Sequence, residues 1–313
     1  MKKLAVVAFG GNALLRPGEK GTASEQEKNV YETCENLLEL IKRDHDIVIT
    51  HGNGPQVGNI LLQNQGGAQL HGIPEMPLDI CGAYSQGLIG YMIEQQLRNV
   101  LEANGMEKDV ITLITQVLVD KNDPAFANPT KPIGPYYSKE DADRIAAETG
   151  SIFKEDPKGN GWRKVVASPM PKVVGNRKTI EQIARQGQIV VAVGGGGIPV
   201  YYVEPNKLEG IDAVIDKDLA SALLAAEIKA DEFFILTDVP NVYINFRKPD
   251  EKALKTITVA EAKEYIAQGH FTEGSMAPKV RAAIHYVENG GKECIITSAQ
   301  SLHDPECGTK IIA

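Results

Sequence analysis

No apolar run in the sequence approaches the ~18 residues that a membrane-spanning helix requires, so a membrane partner is not expected. The four cysteines, at 34, 81, 294 and 307, form no C-x-x-C pair. A disulfide framework is therefore not expected, and scattered thiols suit a reducing cytoplasm. The six histidines include no H-x-x-x-H or H-E-x-x-H spacing, which argues against a zinc site. Met1-Lys2-Lys3 before Leu4-Ala5-Val6-Val7 looks superficially like a signal peptide. The apolar stretch breaks at Gly10-Gly11-Asn12, and no cleavage site follows. A cytoplasmic location is the expectation.

Basic excess is missing too. Lys and Arg number 33 against 41 Asp and Glu, a net charge of -8 with no long Lys/Arg run, which argues against a nucleic-acid footprint. Any anion site must be built locally from lysines and backbone amides. There is no Walker A motif, and neither the catalytic-loop nor the D-F-G signature of protein kinases. Gly52-Asn-Gly54-Pro-Gln-Val-Gly58 falls one residue off the dinucleotide fingerprint. No acidic residue stands ~20 positions further on at a strand end, so a dehydrogenase reading is weak.

What is there is an alternation. At 313 residues, 42% apolar and 24% charged, the chain suits one large α/β domain with an insertion, or two smaller domains. Strands are predicted at Lys3–Phe9, Asp46–Thr50, Val110–Val119, Gln188–Val193, Glu232–Thr237 and Lys292–Thr297. The pattern predicts a helix from about Glu25 to Arg43, with Val30, Cys34, Leu37, Leu38 and Ile41 on one face and a Ser24/Glu27 capping box. His51–Gly58 opens a second helix. Asp79 is expected to cap a third, striped by Leu88, Met92, Ile93, Leu97 and Leu101. Further helices are predicted near Thr179–Gln186, from Lys217, after a Thr258/Glu261 box with a stop at Gly269, and over Lys279–Glu288 behind Pro278. The alternation lapses over 121–172, where Pro, Gly, Lys and Asp abound around one helix near Ser138–Thr149. That stretch reads as an inserted, protruding subdomain of a single domain spanning 1–313. Strands alternating with helices imply a mainly parallel sheet covered on both faces.

Ligands of open α/β sheets sit beyond the carboxyl ends of the strands. Three glycine clusters fall there: Gly10-Gly11, Gly52/Gly54/Gly58 and Gly194–Gly197. Singly each makes a tight turn; together on one edge they suit a phosphate cradle, since glycine admits close backbone approach. Lys217, between Asp216 and Asp218, and Lys279, after Pro278, stand in predicted first helical turns. A cation there opposes the helix macrodipole. Either they are solvated surface lysines, or an anion binds between them and the helix amides. Asp216 and Asp218 are either ordinary N-cap carboxylates or groups that orient the lysine or hold Mg²⁺. Thr237-Asp238-Val-Pro-Asn-Val242-Tyr243 is either a Pro-containing turn or a place for adenine. Lys131 stands in a Pro-rich loop, Asn128-Pro-Thr-Lys131-Pro-Ile-Gly-Pro135, stiff enough to hold a side chain against a ligand.

In order along the chain, Gly10-Gly-Asn-Ala13, His51–Gly58, Lys131-Pro-Ile-Gly-Pro135, Trp162–Pro169, Gly194–Pro199, Ile215-Asp-Lys-Asp218 and Gly274–Lys279 resemble the motifs of the carbamate kinases, a family of the amino-acid kinase superfamily. The resemblance covers nearly the whole chain, and the K-P-I-G-P insertion is specific to that family within the superfamily. It implies a three-layer α/β sandwich around a mainly parallel sheet, a protruding subdomain and a homodimer. It also implies reversible phosphoryl transfer between ATP and carbamate with Mg²⁺, in arginine or agmatine breakdown. Gly10, Gly11, Asn12, Gly52, Asn53 and Gly54, with Gly195 and Gly196, would surround the phosphoryl group. Lys131, Lys217 and Lys279 would contact phosphate oxygens, organised by Asp218, while Thr237, Asp238, Val242, Tyr243 and Met276 would line the nucleotide. Other acyl-phosphate kinases of the superfamily, such as acetylglutamate kinase, and a non-catalytic nucleotide-binding regulator are the competing readings. One departure stands out: relatives such as acetylglutamate kinase usually carry a lysine two residues before the Gly-Gly pair, where this chain has Ala8.

Overall fold

The computed structural model describes residues 2–156 and 159–313; Met1 and, within the predicted insertion, Pro157-Lys158 lie outside them. Eight strands form the main sheet, in the order Thr256–Thr258, Thr309–Ile312, Glu293–Ser298, Glu232–Thr237, Leu4–Phe9, Asp46–His51, Ile189–Val191, Val110–Thr112. Thr309–Ile312 runs antiparallel to Glu293–Ser298 and parallel to Thr256–Thr258, so these two edge strands oppose the other six.

Side chains of a strand alternate between faces, and the core divides accordingly. Leu4, Val6 and Ala8 pack on one side with the helices α5 (Arg177–Arg185), α6 (Lys217–Glu227), α7 (Val259–Ala267) and α8 (Met276–Glu288). Ala5, Val7 and Phe9 pack on the other with α1 (Ala23–Lys42) and α3 (Leu78–Ala103). The result is the expected three layers. The helix α2 (Gly54–His71) lies against the insertion rather than the sheet, burying Val57 and Ile60 with Ile133 and Val214.

Several local expectations are corrected. The capping box of α1 is Thr22 with Glu25, not Ser24 with Glu27. Pro77 is the N-cap of α3, and Asp79 lies inside its first turn. Leu88 is exposed, and the buried stripe of α3 runs through Cys81, Ser85, Ile89, Met92, Ile93 and Leu97. Val110–Val119 is two strands: after Val110–Thr112 the chain leaves the main sheet, and Gln116–Leu118 joins a second sheet beside Ile198–Glu204 and Val173–Val174. The Thr258/Glu261 box is as expected.

Within 121–172 the chain builds its own antiparallel sheet, Lys131–Tyr137 with Trp162–Val166 and Ile152–Glu155, flanked by α4 (Lys139–Thr149). The Lys131–Pro135 segment, expected as a loop, is therefore a strand. It pairs on one side only, and an edge position is where a sheet tolerates proline.

Candidate active site

The carboxyl ends of Leu4–Phe9, Asp46–His51, Ile189–Val191 and Glu232–Thr237 lead into Gly10, Gly52, the Gly194–Gly197 turn and Asp238. The predicted residues thus collect at one end of the sheet. Gly11–Ala13 makes one 3-10 turn; Asn12 contributes its backbone to it, and its side chain lies outside the described structure.

The first four amides of a helix lack intrahelical partners and draw anions. Asn53 stands at the N-cap of α2 without capping it. Its amide nitrogen donates instead to Ser85 Oγ at 2.8 Å, so no side chain caps the Gly54 and Gln56 amides; Pro55 has none, and Val57 donates to the Asn53 carbonyl. Ser275 likewise makes no side-chain cap on α8. By contrast, α6 is capped: Asp216 Oδ1 accepts from the amides of Asp218 at 2.9 Å and Leu219 at 3.2 Å.

Between the two helical lysines lies a group of the protein itself. Lys217 Nζ is 2.6 Å from Asp218 Oδ1 and Lys279 Nζ is 3.3 Å from Asp218 Oδ2. Lys217 is the first residue of α6, whereas α8 begins at Met276 and places Lys279 one turn in. Asp218 is buried. Burial pushes its carboxyl up, but the two ammonium charges and their hydrogen bonds outweigh this and hold it below the usual carboxylate range. Burial pulls Lys217 down from its ordinary value; Asp218 opposes the shift and Lys279 adds to it. Each ammonium has three donors, so both lysines keep capacity for a ligand. The third lysine, Lys131, reaches from the insertion to Asp216 Oδ2 at 2.9 Å. Lys131, Lys217 and Lys279 therefore meet two carboxylates spaced two residues apart at the start of α6.

Gly195 and Gly196 are buried and adopt φ of 66° and 90°. A side chain at either would collide with Asn53 or with the Ile215 carbonyl, so they set the loop against the protein's own groups. Gly52 lies under the Lys217 stem, where an added Cβ would sit 3.0 Å from Cδ.

Of the nucleotide candidates, Thr237 and Asp238 line a cavity of about 180 Å³ with Gly10, Leu236, Arg16 and Gln300. Tyr243 and Met276 are half-buried at the same sheet end. Val242 stands apart: its side chain is wholly buried in the core, and its amide donates to Thr309 Oγ1 at 2.8 Å.

Sequence reasoning missed the polar groups that hold this frame. Gln86, buried on α3, donates to the carbonyls of Gly194 at 2.9 Å and Thr115 at 3.1 Å and accepts from the Thr115 amide at 2.8 Å. Thr50 Oγ1 meets Ser221 Oγ at 2.6 Å, and Ser221 donates to the Lys217 carbonyl at 2.6 Å. The only advance signal was polar Ser85-Gln86 on the buried side of an otherwise apolar helix stripe. His51 is buried with Nδ1 against its neighbour's carbonyl, Gly52 O, at 2.9 Å. Burial lowers its pKa to about 4, the carbonyl contact opposes this and Lys217 lowers it further, so the ring is neutral at pH 7.

A family profile described as the amino acid kinase family matches residues 3–298. A carbamate kinase of Pyrococcus furiosus is 49% identical over 315 aligned residues, covering 100% of both chains. One of Thermococcus kodakarensis is 51% identical over 315, covering 99% of each. The solved structure of carbamate kinase from Giardia lamblia bound to AMP-PNP superposes with a TM-score of 0.91 at 46% identity, covering 99% of this chain and 98% of that one.

Proposed function

Because this chain belongs to the amino-acid kinase family, among its carbamate kinases, we propose that it moves a phosphoryl group reversibly between ATP and carbamate. The observation that carries the chemical reading is the pairing of Lys217 and Lys279 on one buried carboxylate, beside the uncapped start of α2.

Carbamate is already an anion, so its oxygen can attack the γ-phosphorus without a general base. The oxygen–phosphorus bond to carbamate forms as the bond to the ADP oxygen breaks. The enzyme must align two mutually repelling anions and stabilise charge on the equatorial oxygens. In this reading Lys217 and Lys279 take those oxygens, and the amides at Gly10-Gly11 and at the start of α2 complete the cradle. Lys131 approaches from the acceptor side. The absence of a base is consistent with His51, whose ring is buried and, with a pKa lowered to about 4, only weakly basic. Thr237, Asp238, Tyr243 and Met276 are assigned to the nucleotide. The short reach from Lys131 to Asp216 favours a small acceptor over the larger substrates of other acyl-phosphate kinases.

A resident magnesium site does not fit the donor set. Among the described residues no three carboxylate, imidazole or thiolate groups gather, and Asp216 and Asp218 are already bound to lysines. Magnesium is assigned to the nucleotide phosphates, as part of the substrate. The physiological direction is proposed to be ATP synthesis from carbamoyl phosphate, in arginine or agmatine breakdown, by a cytoplasmic homodimer.

The test is ATP formation by the purified protein from ADP and carbamoyl phosphate with Mg²⁺. ATP formation only from acetylglutamyl phosphate or another acyl phosphate would move the assignment to a different kinase of the family.

A further inference from the structure

We propose that Asp216 is a positioning residue, which draws the insertion's Lys131 over the site and acts on catalysis mainly through that lysine. The inference rests on the carbamate kinase reading above and adds a residue to it.

Two contacts between the Lys131–Tyr137 strand and the body of the protein bear on this lysine. One is apolar: Ile133 is 1% exposed, buried among Val57, Leu78, Cys81 and Val214. There Gly58 of α2 meets Gly134 so closely that a Cβ on Gly58 would overlap the Gly134 backbone. This contact fixes the strand but not the long side chain two residues before Ile133. The other is polar, Lys131 Nζ on Asp216 Oδ2 at 2.9 Å.

Asp216 is equipped to fix that lysine because its own carboxylate cannot swing. Oδ1 is committed to the amides of Asp218 and Leu219, which aims Oδ2 away from the helix and toward the insertion. An ammonium has three donors, so Lys131 can be held by Asp216 and still offer two to a substrate oxyanion. Unheld, a lysine side chain loses more rotamer entropy when it engages a ligand. The arrangement repeats that of Asp218, which holds Lys217 and Lys279 on its two oxygens. Together the two carboxylates fix all three lysines against one helix terminus.

The capping and holding roles can be separated by substitution. Asn is as good an N-cap as Asp. In Asp216→Asn the oxygen keeps the α6 amides, and the amide NH₂ turned toward Lys131 presents a donor to a donor. Asp216→Ser also caps and is too short to reach Lys131. Either variant is expected to unfold near the parent temperature while turnover with carbamoyl phosphate falls on the order of 10-fold to 100-fold, the scale of a misplaced reacting group.

The test is a double-mutant cycle with Lys131→Ala, measuring kcat and the KM for carbamoyl phosphate. If Asp216 acts mainly through Lys131, Asp216→Asn costs far less in the Lys131→Ala background than in the parent, leaving only the small effect of its charge on Lys217. An equal loss in both backgrounds, with Asp216→Ser agreeing, would overturn the proposal and leave Asp216 as a helix cap alone. A parent protein that makes no ATP from carbamoyl phosphate would instead overturn the functional reading itself.

Discussion

Lys217 and Asp218 are neighbours in sequence and are also bonded to each other, Nζ to Oδ1 at 2.6 Å. Consecutive side chains on a helix ordinarily diverge, so this contact depends on Lys217 standing at the first helical position with its stem laid over Gly52. Burial lowers the pKa of Lys217 and Asp218 raises it. Removing that carboxylate charge must lower it further. Asp218→Asn is expected to cut turnover by ~10²-fold, the scale of a preorganised charge-stabilising group. The rate of the remaining activity should fall at lower pH on the alkaline side than in the parent, because the ammonium is lost as pH rises through a more depressed value. A pH–rate profile checks this; an alkaline limb that stays in place would mean that Lys217 is not the group being titrated.

Ala8 faces the α6 side of the core, fully buried, between Thr50 and Ile235 in the sheet. By the resemblance drawn from the sequence, it stands where relatives such as acetylglutamate kinase usually carry a lysine, and Lys217 approaches the same sheet end from α6. Lys217→Ala should lower turnover by ~10²-fold or more while nucleotide affinity changes much less, since the contact matters mainly in the transition state. Adding Ala8→Lys should restore part of the rate. Steady-state kinetics with a separate nucleotide-binding titration distinguish the outcomes; weaker ATP binding at an intact maximal rate would make Lys217 a binding residue only.

How far the site was legible beforehand follows from these residues. Lys217 and Lys279 were conspicuous because a cation predicted in a first helical turn is locally unfavourable, although Lys279 in fact stands one turn into α8. Their true partner was not, because sequence spacing does not say that Asp218 turns inward between them. The α1 cap was ambiguous for a simpler reason: Thr22-x-x-Glu25 and Ser24-x-x-Glu27 are overlapping boxes, and only the first is formed. The Val110–Val119 strand was overextended because both halves are β-rich, and the crossing between two sheets at Thr115 is set by Gln86, a contact distant in sequence. Prolines at 132 and 135 signalled a loop because an edge strand carries no mark of its edge position in one sequence.

Acid should act on this fold through His51. Its folded pKa is about 4, against 6.5 for an unperturbed imidazole, so below pH 6.5 the unfolded chain takes the proton that the folded one refuses. Stability is then lost as pH falls from about 6.5 to about 4, by up to about 3 kcal/mol for a fully buried ring. His51→Gln should flatten that slope even if it lowers stability at pH 7. Urea midpoints at pH 7 and pH 4.5 measure it; equal slopes in parent and variant would remove His51 as the cause.

The proposed homodimer has a natural place on α3, which exposes Ile80, Tyr84, Leu88 and Tyr91 at helical spacing along its outer face. A continuous apolar stripe of this kind marks an association surface. Tyr84→Glu together with Tyr91→Glu should halve the mass in solution seen by light scattering while the circular dichroism spectrum is unchanged. A parent protein that is already monomeric, or a double variant that remains dimeric, would dismiss this face.

The strand Leu4–Phe9 sits in the middle of the sheet, between Asp46–His51 and Glu232–Thr237. Its first neighbour is close in sequence, but on the other side the Leu4 amide reaches Asp231 across 227 residues. During folding the local half of the sheet can assemble early, whereas the distant pairing carries a large loop-closure cost and comes late. Gly10 and Asp238, on opposite sides of that seam, come together only when it closes. A refolding chain would thus acquire much of its secondary structure before it brings the proposed phosphate cradle together, and recovery of activity would report the seam rather than the collapse.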